Sequence, residues 1–231
     1  AGDHHSLVLA ANGTAFTCGR EGVLLGNVNP TLRAMPGFAG RRLVEVSAGI
    51  LHSAAVDEAG AVWTWGLGAN GRLGHGTLGS TFNANTELAP KKVEALVPHR
   101  VRHVSVGGHH ALAVTDSGEL YAWGQGHHGE LGLATKDDQD FPQHVAALAG
   151  TTVCQVTAGI HVSAVLTESG ELYTMGSNEL GHLGHGNGTG IDVPTLVKTL
   201  APPPPNVNAL TPAELKVELA RRGLSAAGAK A

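Results

Sequence analysis

Val106-Gly107-Gly108-His109-His110-Ala111, followed by Gly118, Gly124 and the pair Leu131-Gly132, is the stretch that organises the chain. The same pattern opens at Ala1-Gly2-Asp3-His4-His5-Ser6, at Ala48-Gly49-Ile50-Leu51-His52-Ser53 and at Ala158-Gly159-Ile160-His161-Val162-Ser163. The opening glycines at 2, 49, 107 and 159 recur with periods of 47, 58 and 52 residues. Each is followed 11 residues later by a second glycine (Gly13, Gly60, Gly118, Gly170) and 6 further on by a third (Gly19, Gly66, Gly124, Gly176). A Leu-Gly pair closes the pattern at Leu73-Gly74, Leu131-Gly132 and Leu183-Gly184, and one residue early at Leu25-Gly26. Three units add Pro-x-x-Val-x-x-Leu: Pro90/Val93/Leu96, Pro142/Val145/Leu148 and Pro194/Val197/Leu200. Fixed spacings separated by gaps of variable length mark a repeat in which each unit is one supersecondary structure.

Within the third unit, Ala111-Leu112-Ala113-Val114 is an apolar run of strand length, and Asp116-Ser117-Gly118 is a turn whose glycine can take positive φ. Glu119-Leu120-Tyr121-Ala122-Trp123 alternates and carries aromatics, which suits a strand. The spacing predicts a hairpin, then a further strand in Pro-x-x-Val-x-x-Leu with proline at its start, where no ladder donor is needed. Val101–Val106 alternates and leads into the next unit. About four short strands per unit, joined by glycine turns, predict the blades of an all-β propeller, because such a sheet buries both faces only by stacking on its neighbours.

The residues Ala-Gly-x-x-His-Ser, Gly-Glu-Leu-Tyr-x-Trp-Gly and Gly-x-Leu-Gly-x-Gly together resemble the regulator of chromosome condensation repeat over about residues 1–200. The resemblance implies a seven-bladed β-propeller, of which this chain supplies four units, starting near 1, 48, 106 and 158. It also implies one of several roles: exchange factor for a small GTPase, chromatin-bound protein, ligase accessory module or scaffold. Fold does not choose among these. The Gly-Trp-Arg-His-Thr motif of plant photoreceptor members has no tryptophan counterpart here. With four units present, unpaired blade edges are expected at each end, covered by other protein subunits or by further blades.

Composition narrows the chemistry. At 42% hydrophobic and 15% charged the chain can bury a core, and no apolar run reaches the roughly 18 residues of a spanning helix. Two cysteines, Cys18 and Cys154, form no disulfide framework, which points to a reducing intracellular compartment, nuclear or organellar. A net charge of −4 disfavours nucleic-acid binding by the whole surface. No Ser/His/Asp order, phosphate loop or paired carboxylates are visible, so neither catalytic residues, a cofactor nor a small-molecule substrate is assigned. Of the 14 histidines, His4, His5, His52, His109, His110 and His161 occupy two columns of the repeat, and His75 and His185 a third. Such recurrence predicts structural hydrogen bonding at turns rather than a metal site, for which the loop pair His127-His128 is the remaining candidate. Trp63, Trp65, Tyr121, Trp123 and Tyr173 recur at strand positions and are expected in the core, with Cys18 buried in the same column as Trp65, Trp123 and Met175. The long insertion within residues 76–89 is expected to be an exposed loop, either one that binds a protein partner or simply a tolerated insertion. Asp137-Asp138-Gln139-Asp140 is expected to be a solvated loop.

The tail is of another kind. Residues 201–208 form a proline-rich linker containing Pro202–Pro205. In residues 209–231, Thr211-Pro212-Ala213-Glu214 is a capping box with proline at the first helical position, and Arg221-Arg222-Gly223 suits a helix end. Leu210–Leu219, Arg222-Gly223-Leu224-Ser225 and Gly228–Ala231 resemble the SAP motif, a two-helix hairpin associated with DNA or RNA, cut short where its second helix should begin. Four Lys/Arg against two Asp/Glu give this tail +2 and leave −6 on residues 1–208. Contact with DNA or RNA is therefore expected at Lys216, Arg221, Arg222 and Lys230, with docking of the helix on protein as the alternative. The leading expectation is a non-enzymatic interaction scaffold of a nucleoprotein assembly. The alternatives are an exchange factor or ligase accessory, or a purely structural subunit.

Overall fold

The computed structural model describes residues 1–21, 27–38, 40–77 and 85–198, and these fold as four consecutive antiparallel sheets. Blade 1 contains β1 (His5–Leu9), β2 (Ala15–Glu21) and β3 (Asn27–Ala34). Blade 2 contains β4 (Leu43–Ala48), β5 (His52–Asp57), β6 (Val62–Gly66) and β7 (Glu87–Lys92). Blade 3 is β8 (Val101–Val106), β9 (His110–Thr115), β10 (Leu120–Gly124) and β11 (Gln139–His144), and blade 4 is β12 (Val153–Ala158), β13 (Val162–Thr167), β14 (Leu172–Gly176) and β15 (Ile191–Leu196). Strands pair in chain order within each sheet. The sheets thus begin one strand earlier than the sequence motif suggests. The Ala-Gly motif is the turn between first and second strands, and β4, β8 and β12 precede it.

Pro-x-x-Val-x-x-Leu departs from its expected form. Pro90, Pro142 and Pro194 lie inside β7, β11 and β15, the outer strands. Each falls where the register to the neighbouring strand slips, between Thr64 and Gly66, Ala122 and Gly124, and Thr174 and Gly176. An edge strand at a bulge needs no donor there, so the ring is accommodated. Val93 and Val145 then precede short 3-10 turns, Glu94–Leu96 and Ala146–Leu148, which bury Leu96 and Leu148 beneath the sheet.

The three glycine columns do three different jobs. Those at 13, 60, 118 and 170 have φ of 84°, 80°, 83° and 81°, a conformation that favours glycine. The carbonyls of the first three receive the first amide of the following blade: Leu43 N–H to Gly13 O, Val101 N–H to Gly60 O and Val153 N–H to Gly118 O, each 3.0 Å. Those at 19, 66, 124 and 176 also have positive φ and lie against the chain entering the second strand of the same sheet. Gly2, Gly49 and Gly107 have ordinary φ, and glycine is required there by crowding. A Cβ at each would collide with the backbone carbonyl of the next opening glycine, Gly49, Gly107 and Gly159 respectively. At this contact Gly108 N–H donates to Gly159 O at 2.9 Å.

Side chains repeat across the same junctions. Ser47 Oγ accepts from Val106 N–H and Ser105 Oγ from Ala158 N–H, both at 3.0 Å. His5 Nε2 bonds Ser53 Oγ at 2.6 Å and His110 Nε2 bonds Ser163 Oγ at 2.8 Å, each reaching the next blade. Ser163 gives its own proton to Glu130 O at 2.7 Å, so His110 must be the donor through Nε2–H. His110 is held neutral: burial first, then His161 and His109, lower its pKa to about 3. His52 belongs to the same column, but the position that holds Ser53 and Ser163 in the other blades is Ala111 in blade 3, and no hydroxyl meets its buried ring, which lies against the backbone of His110. In the third histidine column, Thr64 Oγ1 donates to Leu73 O at 2.7 Å and sits 3.0 Å from His75 Nε2, a pattern copied by Thr174, Leu183 and His185. Blade 3 has Ala122 and Leu133 at the same two positions.

The core lies between sheets. Ala54, Val56 and Val62 of blade 2 pack on Val104, Val106, Ala111 and Ala113 of blade 3. Leu112, Val114 and Leu120 of blade 3 pack on Val153, Val156 and Val165 of blade 4. Trp123, fully buried, donates its indole N–H to Arg72 O at 3.0 Å, so the Leu-Gly loop of one blade covers the aromatic of the next. Cys18 stands in that aromatic column but is half-buried rather than buried, since none of the described residues supplies a preceding loop to cover it.

Two measurements follow. Gly107→Ala sets a methyl against a backbone carbonyl that cannot turn aside, so equilibrium denaturation should show a loss of about 3 kcal/mol; Gly150→Ala, where the space is open, should cost about 1 kcal/mol from its positive φ alone. Ala111→Ser should supply the hydroxyl that His52 lacks and raise stability by about 1 kcal/mol, whereas Ser163→Ala, which strips His110 of its partner, should cost about 1–3 kcal/mol.

Candidate functional site

No cluster of three metal-ligating side chains occurs among the described residues, and of the two Ser–His contacts, His5–Ser53 and His110–Ser163, the second is buried with the Ser163 hydroxyl donating to Glu130 O instead of to the imidazole. The candidate metal pair is committed elsewhere: His127 Nε2 lies 3.3 Å from Asp138 Oδ1, and the His128 ring packs on that of His161 with centroids 4.3 Å apart. Asp138 is no solvated side chain. It is 17% exposed, accepts from Gly126 N–H at 3.0 Å and from Asn70 Nδ2 at 2.8 Å, and so ties blade 2 to blade 3. Gln139 and Asp140 begin β11 instead of extending the loop. Trp63 and Tyr121 are half-buried, with polar ends paired to Asp57 Oδ2 at 3.0 Å and His99 Nε2 at 3.0 Å.

The features that invite a partner are faces and loops. Of the 76–89 insertion, residues 78–84 lie outside the described residues. Glu87–Ala89 already belong to β7, where Leu88 is 70% exposed. Gly76 N–H is bonded to Asp140 O at 2.9 Å, so the loop is anchored on blade 3 where it begins. Between blades 1 and 2 lies a mostly apolar cavity of about 230 Å³, lined by His5, Thr17, Met35, Ile50, Trp65 and Leu88. Residues 22–26, in which the counterparts of Arg72–Gly74 fall, are outside the described residues.

The largest departure from the internal pattern is the outer face of blade 4. In β9 every residue is buried, because Leu112 and Val114 are covered by blade 4. The equivalent residues of β13, Val162, Ala164 and Leu166, are only half-buried, and so is Leu172, the counterpart of the 1%-exposed Leu120. The loop position that stacks His128 on the next blade is Leu180 here, 89% exposed. Gly170, whose column elsewhere receives the first amide of a following blade, meets open space. At the other end, Ser6 is half-buried and Val8 is 45% exposed on the face of β1 turned away from blade 2. Among the described residues no further sheet packs on either of these two faces. Their apolar make-up needed the register, and the one sequence signal for it was Val162 standing where the other units have histidine.

The expected nucleic-acid residues Lys216, Arg221, Arg222 and Lys230, with the linker and the helical motif, lie outside the described residues. Among the described residues no helix is long and apolar enough to cross a membrane. Cys18 and Cys154 are free thiols in different blades.

Comparison with known proteins agrees with this architecture. The profile of the Regulator of chromosome condensation (RCC1) repeat matches residues 59–114, 117–166 and 169–203, more than half of the chain. The chain is 35% identical over 207 residues to the human E3 ubiquitin-protein ligase HERC2, covering 87% of this chain and 4% of that protein. It is 35% identical over 203 residues to the ultraviolet-B receptor UVR8 of Arabidopsis thaliana, covering 85% of this chain and 45% of the receptor. It therefore spans less than half the length of these relatives. The crystal structure of human WBSCR16 superposes with a TM-score of 0.72 at 26% identity, over 93% of this chain and 53% of that one. Prp20p of Saccharomyces cerevisiae, described with its binding to Gsp1p and histones, shares the fold at a TM-score of 0.71 and 23% identity, over 85% of this chain and 50% of that one. With its glycine columns, blades and profile in agreement, the chain belongs to the regulator of chromosome condensation (RCC1) repeat family.

Proposed function

We propose that this chain is a protein-binding scaffold whose blade-4 face receives a further sheet of the same repeat type, from the same polypeptide or from another subunit. The observation that carries this reading is the half-exposed row Val162, Ala164, Leu166 and Leu172, every counterpart of which in blade 3 is buried by a following blade. An apolar sheet face left in water forfeits roughly 25 cal/mol per Å² that burial would return, and an exposed sheet of this kind promotes association. The internal junctions specify the occupant's chemistry. The strand facing this row has small residues elsewhere, Ala111 and Ala113 against blade 2, Ser163 and Val165 against blade 3. Because Val162 replaces the histidine that seeks a hydroxyl, an apolar small residue suits the facing position. Scaffold roles accord with relatives in which such repeats accompany other activities, as in a ubiquitin ligase and a photoreceptor. Free thiols at Cys18 and Cys154 suit a reducing compartment.

The tail supplies a second, separable contact in this reading. Lys216, Arg221, Arg222 and Lys230 gather positive charge on a chain that is otherwise acidic, and they would hold phosphate with little dependence on sequence.

For the face, the full chain should bind a hydrophobic dye and associate with rising concentration in light scattering. Leu166→Lys combined with Leu180→Glu should abolish both at unchanged thermal midpoint. A monodisperse chain that ignores the dye would refute the docking face. For the tail, Arg221→Ala with Arg222→Ala should flatten the slope of log affinity against log salt on duplex DNA by up to about 2. Binding with an undiminished slope would move the contact elsewhere, and no binding by the intact chain would assign the helix to protein docking.

A further inference from the structure

At the junction of blades 3 and 4 a carboxylate is buried without a cation. Glu130 is 0% exposed and sits in the loop that follows β10 and covers the turn before β13. Its Oε2 accepts from His128 N–H at 2.7 Å. Its Oε1 faces His161 Nδ1 at 3.8 Å, and both of these buried atoms lack a hydrogen-bond partner. The ring of His161 is held in place by His128, 4.3 Å between centroids, and by His109, 5.8 Å and nearly parallel. Two facing acceptors, or a donor left nearly 1 Å too far from its acceptor, cost free energy when buried. One proton between them removes the conflict, since a protonated carboxyl donates to a bare imidazole nitrogen.

The surroundings favour that proton and limit it to one. Burial pushes the Glu130 carboxyl above its ordinary range, against the pull of the backbone amides. Burial, and then His128, lowers the His161 pKa, and His109 is lowered to about 4 by burial, Arg72 and His161. The titratable and charged groups facing the pair are His127 and His128 from the same loop, His109 and His110 at the turn into β9, Arg72 from the preceding blade, and Asp138 before β11. Burial, and His128 beside it, disfavour a cationic His161, so the proton belongs on the carboxyl. The equivalent loop of blade 2 has Arg72 in the column of Glu130, donating its Nε–H to Ala69 O at 2.8 Å, and it has no such pair.

We propose that Glu130 and His161 share one proton that latches the loop of blade 3 onto the turn of blade 4, so that rising pH releases this junction while the others hold. The sign follows from the carboxyl: a group whose folded pKa lies above its unfolded value stabilises the folded contact below that pKa, and the contribution is lost as pH rises through it. The bond from Ser163 Oγ to Glu130 O does not titrate and keeps the loop from detaching altogether.

The test is amide hydrogen exchange on the full chain between pH 5 and 8, with protection factors corrected for intrinsic exchange. Protection at residues 126–132 and 160–163 should fall about tenfold as pH rises, the equivalent of one hydrogen bond, while residues 68–74, in the loop of the preceding junction, should not change. Glu130→Gln, whose amide keeps an acceptor for His128 N–H and always carries a donor for His161, should hold high protection at every pH. The same fall in Glu130→Gln as in the native chain, or none in the native chain, would overturn the proposal. Should that variant fail to fold, the Nδ1 nitrogen shift of His161 in the native chain decides: it must move in step with the Glu130 carboxyl carbon, and independent midpoints would overturn the shared proton.

Discussion

Everything in this protein is spaced by the close approach of one opening glycine to the next. The carbonyl of Gly159 occupies the space a side chain on Gly107 would need, and the same holds for Gly107 against Gly49 and Gly49 against Gly2. The obstacle is main chain on both sides, so no rotamer change relieves it. That contact brings the first strands of consecutive blades within bonding distance. The strand amides of Val104, Val106 and Ala158 can then be met by Glu45, Ser47 and Ser105 of the blade before. A bulkier residue on the axis would separate a whole row of buried donors from their acceptors, each costly to leave unmet.

Because each blade touches only its neighbours, stability is a sum of junction terms, and the junctions are not equal. Blades 1 and 2 meet through His5 and Ser53, and blades 3 and 4 through His110 and Ser163. Between blades 2 and 3 the hydroxyl is missing, and other contacts carry the joint. Glu45 pairs with His103, whose pKa it raises, and His103 reaches on to Val156 O at 3.0 Å. Trp123 is buried whole under Arg72. The repeat is therefore a frame within which single positions vary. The variations give the last blade its apolar outer face and the junction before it a buried carboxylate.

Much of the fold was legible because glycine at a positive φ declares itself without reference to neighbours: Gly60 or Gly118 marks a turn whatever packs against it. The strands either side were equally plain in their alternation. Other features were not. The sheet starts at Leu43 rather than at Ala48 because pairing, not similarity of motif, sets the frame. Val93 and Leu96 read as strand by spacing, yet the ladder ends at Lys92 and the chain turns inward to bury both. Asp138 looked solvated from its acidic neighbours, but Asn70 and the Gly126 amide lie across the blade junction and no local pattern announces them.

What the sequence determined by itself was the repeat, its strand content, the turn glycines and the change of character after Leu200, since these rest on local preferences of backbone and composition. What only the tertiary structure decided was which surfaces meet. It distinguished glycines needed for their φ from those needed for their lack of a side chain, left the buried ring of His52 without a hydroxyl partner, and set Glu130 against His161. Residues 31 positions apart, such as that pair, share no local rule. Their chemistry exists only once the blades have stacked and water has been excluded from between them.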